Sequence, residues 1–350
     1  MSRMLDLVAS ILGLRASGPG EPERELGGYR LIEPLGAGGM GEVWRGEHRA
    51  LGRPAAIKLI RRQVLRGEDA QREEWLRRFE REARVTAALQ SPHTVKLYDF
   101  GRASDGTLYY AMELLEGIDL EALVERFGPL EPARAVYLLE QLCGSLAEAH
   151  EAGLVHRDVK PQNLFLSRLG LEHDFVKVLD FGLVRSPLDE GPAARITARD
   201  MIVGTPCFMA PELVAGREVD GRTDLYAVGC VAYWLLTGTH VFASQDRSAV
   251  QVMLDHVHTA PELPSRRCGR PLPARLERLV MSCLEKEKWR RPRSALELLG
   301  QLRQAQRELP QAWTGRDAQR WWELHLPGLA GPALRARRVT ASLERPLAAA

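Results

Sequence analysis

The residues with the clearest chemical potential lie near the middle of the chain, where segment 156–163 reads His-Arg-Asp-Val-Lys-Pro-Gln-Asn. Asp158 carries a carboxylate that could accept the proton of an incoming hydroxyl. Lys160 could reach a transferring anionic group, and the amide oxygen of Asn163 could bind a metal ion. Apolar residues flank the segment on both sides, so a cluster of solvated surface charges does not explain it. The segment therefore predicts a base, a cation and a metal ligand within one loop.

A second polar segment, Asp180-Phe181-Gly182, follows the apolar stretch 175–179. The tripeptide alone carries little information, but it adds a carboxylate 17 residues after Asn163. Carboxylate and amide oxygens suit Mg²⁺, which proteins hold through a few groups together with substrate phosphates. The sequence thus predicts a metal site formed by Asn163 and Asp180, with Mn²⁺ as an alternative ion.

A glycine-rich segment precedes both, since residues 35–43 read Leu-Gly-Ala-Gly-Gly-Met-Gly-Glu-Val. Gly36, Gly38 and Gly41 form the pattern GxGxxG, and glycines let the backbone approach phosphates closely. Alone, the pattern is also compatible with a dinucleotide-binding turn or an ordinary glycine-rich hairpin. A dinucleotide turn opens a helix, however, whereas β-type residues follow here. A phosphate-binding hairpin is therefore the favoured interpretation.

Lys58 ends the apolar run 55–58, Ala-Ala-Ile-Lys. A lysine in that position is usually an edge residue, but this one follows the glycine segment at a hairpin's distance. Its ammonium could bridge two phosphates if a carboxylate held it in place. Glu82, on the charged helical stretch that follows, is the natural candidate. Three other acids on that stretch leave the choice open on spacing alone: Glu73, Glu74 and Glu80.

The last motif is segment 204–212, Gly-Thr-Pro-Cys-Phe-Met-Ala-Pro-Glu. Together the five segments resemble the signatures of Hanks-type serine/threonine protein kinases, and the Gly-Ala-Gly-Gly-Met-Gly-Glu-Val form resembles the bacterial branch. The resemblance covers about residues 29–302. It implies an enzyme that transfers the γ-phosphoryl group of ATP to serine and threonine hydroxyls of protein substrates in bacterial signal transduction, with autophosphorylation.

The resemblance also implies roles for the catalytic residues. Asp158 would be the catalytic base, and Lys58 would hold the α- and β-phosphates while paired with Glu82. Lys160 and Thr205 mark the serine/threonine class. The metal ligands would be Asn163 and Asp180, as their oxygen chemistry also suggests.

The nucleotide would lie between the glycine loop and a hinge. Met112 resembles the gatekeeper residue, Glu212 is expected to pair with Arg291, and Asp224 is expected to steady the catalytic loop. The residues expected to contact ATP are Leu35, Gly36, Ala37, Gly38, Gly39, Met40, Gly41, Val43, Ala56, Lys58, Glu113, Leu115 and Phe165.

The resemblance implies an α+β, two-lobed protein kinase fold with a small β-rich N-lobe and a larger helical C-lobe. The predicted N-lobe spans 29–112, the hinge 113–117 and the C-lobe 118–302. Residues 1–28 are predicted to be an N-terminal extension and linker, and 303–350 a C-terminal tail with a tryptophan-containing helix. The N-lobe strands are expected at Tyr29–Leu35, Glu42–Glu47, Ala55–Ile60, Thr94–Phe100 and Leu108–Leu114, interrupted by a helix over Asp69–Leu89.

After the hinge the pattern is mostly helical, and the stretch 225–236 is apolar on nearly all sides, which predicts a buried helix. In the tail, Thr314 and Asp317 resemble the start of a helix that carries Trp321 and Trp322. So short a helix is stable only when docked. Deleting the chain from Trp313 onward is therefore expected to lower stability while sparing the chemistry.

Regulation leaves two alternatives open. Thr197 is the only hydroxyl residue between Ser186 and Thr205, and its phosphate could order the segment through Arg157. The other reading is a segment that is ordered without phosphorylation, with Asp200 supplying the charge. Cys207 is predicted to be an inert thiol.

Composition limits the remaining classes. The chain has 350 residues and a net charge of +2, which gives no electrostatic case for nucleic acid binding. Its five cysteines form no CxxC pair, and its longest apolar stretch is too short to span a membrane, so a cytoplasmic location is expected. No pattern in the chain predicts an oligomeric state.

The alternatives to an active protein kinase are a pseudokinase scaffold and a small-molecule phosphotransferase. The first lacks support because Lys58, Asp158 and Asp180 are all present. The second lacks support because such enzymes usually lack the segment corresponding to 204–212.

Overall fold

The computed structural model describes residues 25–38, 41–60, 69–103, 105–181, 206–242 and 247–330. Within them, a β-rich lobe precedes a larger helical lobe, so the predicted two-lobed α+β architecture is confirmed. Several predicted features lie outside the described residues, namely most of the N-terminal extension, Gly39, Met40, Thr197, Asp200, Thr205 and residues 331–350 of the tail.

The N-lobe is built on an antiparallel sheet of six strands in the order β1-β2-β3-β4-β6-β5. Strands and the helix α1 follow the predicted segments closely, although the expected strand at 94–100 begins later, at Leu97. Thr94 instead forms a bridge to Val178 of the C-lobe, which takes it out of the N-lobe sheet. The elements are β1 Glu25–Leu26, β2 Tyr29–Gly38, β3 Gly41–His48, β4 Arg53–Ile60, α1 Asp69–Ala88, β5 Leu97–Arg102 and β6 Leu108–Glu113.

Alternation along β4 divides the N-lobe core into two layers, because successive side chains of a strand point to opposite faces. Ile57 lies opposite Ala111 on one face, and both belong to an outer cluster. Ala56 lies opposite Met112 on the other face, in the cluster that includes Phe79 of α1. Lys58 lies two residues after Ala56 on the same strand, so its side chain points to the same face of the sheet, toward α1.

The C-lobe core is organised around two long helices. The helix Gly221–Thr237 is buried along nearly its whole length, as its all-round apolar sequence predicts, and it packs against Pro132–Glu151. The helices of this lobe and the tail are α2 Leu120–Phe127, α3 Pro132–Glu151, α4 Pro211–Val214, α5 Gly221–Thr237, α6 Ala249–His258, α7 Pro264–Cys268, α8 Ala274–Cys283, α9 Ala295–Arg307, α10 Gly315–His325 and α11 Pro327–Ala330.

A second sheet, of three strands, lies next to the hinge, and the sequence did not predict it. It consists of β7 Gly117–Asp119, β8 Leu164–Leu169 and β9 Glu172–Val178. Two of these strands are tied to the chemistry, since β8 begins directly after Asn163 and β9 ends two residues before Asp180. The sheet therefore sets the position of both predicted metal ligands.

The tail helix α10 begins as the sequence predicts, with a capping box in which Thr314 and Asp317 exchange hydrogen bonds. Its Trp322 is fully buried in the C-lobe core. Among the residues that the structure describes, no helix is long and apolar enough to cross a membrane.

Candidate active site

The catalytic loop 156–163 is held by one carboxylate from α5. Asp224 accepts the backbone N–H of His156 at 2.8 Å and that of Arg157 at 2.7 Å, one on each oxygen. Arg157 has a φ of 64°, in the left-handed region that L-residues rarely adopt. The two bonds from Asp224 therefore fix a loop conformation that the backbone alone does not favour.

Asp224 stays ionised in this buried position. Burial by itself would raise its pKa, but the hydrogen bond and electrostatic interaction with His150, together with His156, outweigh burial and hold the pKa below its usual value. His150 Nε2 lies 2.8 Å from Asp224 Oδ2. The carboxylate can therefore act as a permanent acceptor at the base of the loop.

The three chemical residues of the loop lie in contact. Lys160 Nζ is 2.9 Å from Asp158 Oδ2. The Asn163 amide nitrogen donates to the Asp158 carbonyl oxygen at 2.8 Å and to its carboxylate at 3.0 Å. Because both bonds use the amide nitrogen, the oxygen of Asn163 is the atom it presents to a cation. A proton acceptor, a cation and an oxygen ligand thus converge as predicted.

Lys58 reaches the site from β4 and forms an ion pair with Asp180, with 2.6 Å between Nζ and Oδ2. The hydroxyl of Tyr110 donates to the other carboxylate oxygen. Burial would raise the pKa of Asp180, but Lys58 outweighs it and lowers that pKa. Burial, followed by the Asp180 charge, raises the pKa of Tyr110 well above its usual value. Glu82 lies half-buried on α1, and its predicted pairing with Lys58 stays a prediction.

Sequence reasoning missed Tyr110. The residue lies directly opposite Lys58 in the β4–β6 register, so both side chains emerge on the same face. The apolar run of β6 predicts a strand there. It does not show which residue of that strand pairs with Lys58, which lies some 50 positions earlier.

The glycine segment is a hairpin, not a helix-opening turn. Gly36 pairs with Val43 and Gly38 with Gly41 across β2 and β3. A side chain at Gly41 would bring its Cβ to 1.9 Å from the carbonyl oxygen of Leu59, so this position requires glycine. The dinucleotide alternative is therefore excluded by the fold.

The predicted nucleotide contacts are brought together in part. Leu35, Ala56 and Met112 are buried in one cluster, and Val43 packs against it. The structure places Phe165 half-buried on β8, outside that cluster. Three further predicted contacts are half-buried, namely Gly36, Ala37 and Leu115.

The hinge residue Glu113 turns its side chain toward the C-lobe. Its carboxylate accepts the Lys177 ammonium at 2.7 Å and the backbone N–H of Lys96 at 2.8 Å. Lys177 is buried on β9. The hinge and the three-stranded sheet are therefore linked by a partly buried ion pair that the sequence did not suggest.

The donor set fits a hard cation. Among the described residues no group of three or more His, Cys, Asp or Glu side chains could hold a metal alone. Mg²⁺ needs few protein ligands when substrate phosphates supply the others. The backbone N–H of Leu179 donates to the carbonyl oxygen of Asn163 at 2.9 Å, which keeps Asp180 beside the loop. Asn163 and Asp180 can thus supply the protein oxygens of such a site.

Helix α4, which ends the segment 206–212, is anchored by a buried bidentate ion pair. Arg291 donates to Glu212 at 2.7 and 2.8 Å, and Thr223 adds a third donor. Burial would raise the pKa of Glu212, but Arg291 outweighs it and lowers that pKa. Partial burial raises the pKa of the Cys207 thiol to about 11, which fits the predicted inert thiol.

Glu121 is a second residue that the sequence did not single out. It accepts the side-chain N–H of Gln162 at 2.5 Å and so joins α2 to the catalytic loop. Burial, and then the neighbouring charges of Asp119 and Glu125, raise its pKa to about 7. An acid in the first turn of a helix is common enough to carry no signal by itself.

Comparison with known proteins identifies relatives of this architecture. The chain is 38% identical over 284 residues to the serine/threonine-protein kinase pkn3 of Myxococcus xanthus, covering 80% of this chain and 50% of that protein. It is 38% identical over 277 residues to PknB of Mycolicibacterium smegmatis, covering 78% of this chain and 42% of PknB. The chain thus spans half or less of the length of these relatives. The predicted resemblance to bacterial Hanks-type kinases is confirmed.

A solved kinase structure and the match to a protein family both agree with the fold described above. The crystal structure of the Mycobacterium tuberculosis PknI kinase domain superposes with a TM-score of 0.61 at 28% identity, covering 83% of this chain and all of that one. Residues 29–301 match the description of the protein kinase domain. The chain belongs to the protein kinase domain family.

Proposed function

We propose that the chain is a protein kinase that transfers the γ-phosphoryl group of ATP to serine and threonine hydroxyls of protein substrates. The observation that carries the proposal is the cluster of Asp158, Lys160 and Asn163 on a loop clamped by Asp224. Phosphoryl transfer needs positioning and charge stabilisation more than covalent chemistry, and this cluster supplies both.

In the proposed reaction Asp158 accepts the proton of the substrate hydroxyl as it attacks. Lys160, 2.9 Å from that carboxylate, offers a positive charge next to the transferring group. Its pairing with Asp158 also orients the carboxylate. Asn163, bonded to the same carboxylate, fixes its direction.

Lys58 and Asp180 have complementary roles at the nucleotide. Asn163 and Asp180 would hold Mg²⁺, or Mn²⁺ with the same ligands, and the ion would supply positive charge against the substrate phosphates. Lys58, which pairs with Asp180 in this structure, would hold the α- and β-phosphates. Tyr110 orients Asp180 through its hydroxyl.

The segment 206–212, anchored at α4, favours protein over small-molecule substrates. The Glu212–Arg291 pair fixes the end of residues 206–212 in the C-lobe, and these residues would dock the substrate peptide. The presence of Lys58, Asp158 and Asp180 also favours an enzyme over a scaffold. Autophosphorylation and a cytoplasmic location belong to the same proposal.

The test is transfer from labelled ATP with Mg²⁺ to a generic protein substrate, in parallel with a panel of sugars and antibiotics. The expected products are phosphoserine and phosphothreonine in protein, identified by mass spectrometry. Labelled small molecules without phosphoprotein would favour a small-molecule phosphotransferase. Nucleotide binding with no transfer at all would favour a scaffold.

A further inference from the structure

A buried carboxylate on β9 has no part in the proposed chemistry. Asp174 is fully buried, with 0% of its surface exposed, and Arg134 of α3 donates to its two oxygens at 2.8 Å each. Its φ of 53° lies in the left-handed region. A strained, charged residue inside a lobe requires strong partners on every side.

Two of those partners come from the C-terminal tail. The indole N–H of Trp313 donates to Asp174 at 3.0 Å, and that of Trp322 donates at 2.7 Å to the other oxygen. The Arg134 guanidinium lies 3.8 Å from the ring centre of Trp321. The carboxylate therefore receives four N–H groups, of which the tail supplies two.

The docking site extends over three elements of the C-lobe. Trp322 is fully buried and meets His173 of β9 edge to face. Trp321 meets Phe127 at the end of α2 in the same manner, with 5.0 Å between ring centres. With Arg134 at the start of α3, the tail thus holds α2, α3 and β9 together. A helix as short as α10 needs such docking to persist.

The strand that carries Asp174 also leads to the nucleotide site. Three residues later, the buried Lys177 forms the ion pair with the hinge residue Glu113. Val178 pairs through its backbone with the segment around Thr94, and β9 then ends two residues before Asp180. One strand therefore connects the tail's docking site to the hinge and to the predicted metal ligand.

From this continuity we infer that Trp313 and Trp322 are positioning residues of the catalytic site. The tail donates two of the four hydrogen bonds that Asp174 receives, and it thereby fixes the position of β9. The position of β9 in turn fixes those of the Lys177–Glu113 pair and of Asp180. Residues 29–301 match the protein kinase domain family. Formation of the catalytic site then also depends on a segment that follows this domain. The sequence alone predicts only a stabilising tail, whereas the shared strand couples the tail to nucleotide binding. The inference rests on the proposed nucleotide role of the hinge.

The test replaces both tryptophans in the full chain, Trp313→Phe together with Trp322→Phe. Phenylalanine keeps most of the apolar contact and removes the two N–H donors. The matched control is Trp289→Phe, since Trp289 is 68% exposed in the same lobe. Binding of a non-hydrolysable ATP analogue with Mg²⁺ is measured by calorimetry, and amide hydrogen exchange is measured without nucleotide, both at a temperature at which every variant is folded.

The expected result is roughly three- to tenfold weaker analogue binding in the double variant, because a buried charged acceptor has lost two donors. Exchange should also accelerate along 174–179, while the control matches the parent in both measurements. Weaker thermal stability with unchanged analogue binding, and faster exchange confined to α10, would overturn the inference and leave the tail as a stabilising element.

Two further outcomes are separable. If the double variant does not fold, Trp313→Phe alone gives the same test, because Trp313 is only half-buried. If the parent chain binds the analogue but transfers no phosphoryl group, the proposed function fails. The coupling of the tail to β9 is then still decided by binding and exchange.

Discussion

The Asp158 carboxylate is the residue on which proton transfer depends in the proposed mechanism. In Asp158→Asn the side chain keeps its size but loses the ability to accept the hydroxyl proton. We expect kcat to fall by roughly 100- to 10,000-fold while affinity for the Mg²⁺–ATP analogue stays close to that of the parent. Steady-state kinetics and calorimetry check both values. An equal loss of nucleotide affinity in a folded variant would show that Asp158 has a different role.

Lys58 is the residue that supplies positive charge from the N-lobe. Lys58→Met removes that charge and leaves Asp180 without its ion-pair partner. We expect a loss of phosphoryl transfer of about a hundredfold or more, because a preorganised charge is lost from the site. Lys96→Met, at an exposed lysine of the same lobe, is the control and should keep parental turnover. Retained turnover in the Lys58 variant would mean that the cation comes from elsewhere.

At the scale of elements, helix α5 shapes the catalytic loop through one side chain. Asp224 accepts two backbone N–H groups of the loop, whereas Asp220 caps the start of the helix and pairs with Lys288. Asp224→Asn replaces one carboxylate oxygen by a donor that faces a backbone N–H. We expect a loss of about 2–3 kcal/mol in the free energy of unfolding, together with a lower kcat.

The matched control for that prediction is Asp220→Asn, since asparagine is an equally good helix cap. It should change the free energy of unfolding by under about 1 kcal/mol, because its ion pair with Lys288 is partly exposed. Denaturant unfolding measures both variants. Equal losses in the two would argue that α5 supports the loop through packing and not through the Asp224 carboxylate.

At the scale of the whole molecule, two histidines of the C-lobe, the half-buried His240 and the buried His256, contribute to the loss of stability in acid. Burial lowers the pKa of His240 to about 4, while its ordinary value is 6.5. The unfolded chain therefore binds the proton more readily, so the stabilisation is fully present above pH 6.5 and is lost as pH falls toward 4. The pH dependence from His256 has the same sign, because burial and then the charge of Lys286 lower its pKa to about 3.

The variant His240→Phe isolates one of these contributions. Phenylalanine keeps the ring that stacks on Trp234 at 4.5 Å and cannot take up a proton. We expect the pH dependence of the free energy of unfolding to weaken by about 1.4 kcal/mol per pH unit between about pH 6.5 and 4. Other groups, including Glu121, contribute equally to parent and variant and cancel in the difference. An unchanged slope would show that His240 is not buried in its neutral form.

The sequence by itself determined the features that are encoded over short stretches. The catalytic loop 156–163, the segment from Asp180, the glycine hairpin, the buried helix α5 and the cap at Thr314 all follow from residue types at fixed local spacing. Their chemistry depends on neighbours along the chain, and periodicity or capping reports such neighbours directly.

Only the tertiary structure decided which distant groups meet. Tyr110 faces Asp180 from 70 positions away, and Trp322 reaches Asp174 from 148 positions away. The three-stranded sheet escaped prediction because one of its strands has only three residues, and its pairing unites segments on both sides of α3. Strand register and helix docking follow from the packing of the whole core, so no local spacing in the sequence could specify these contacts.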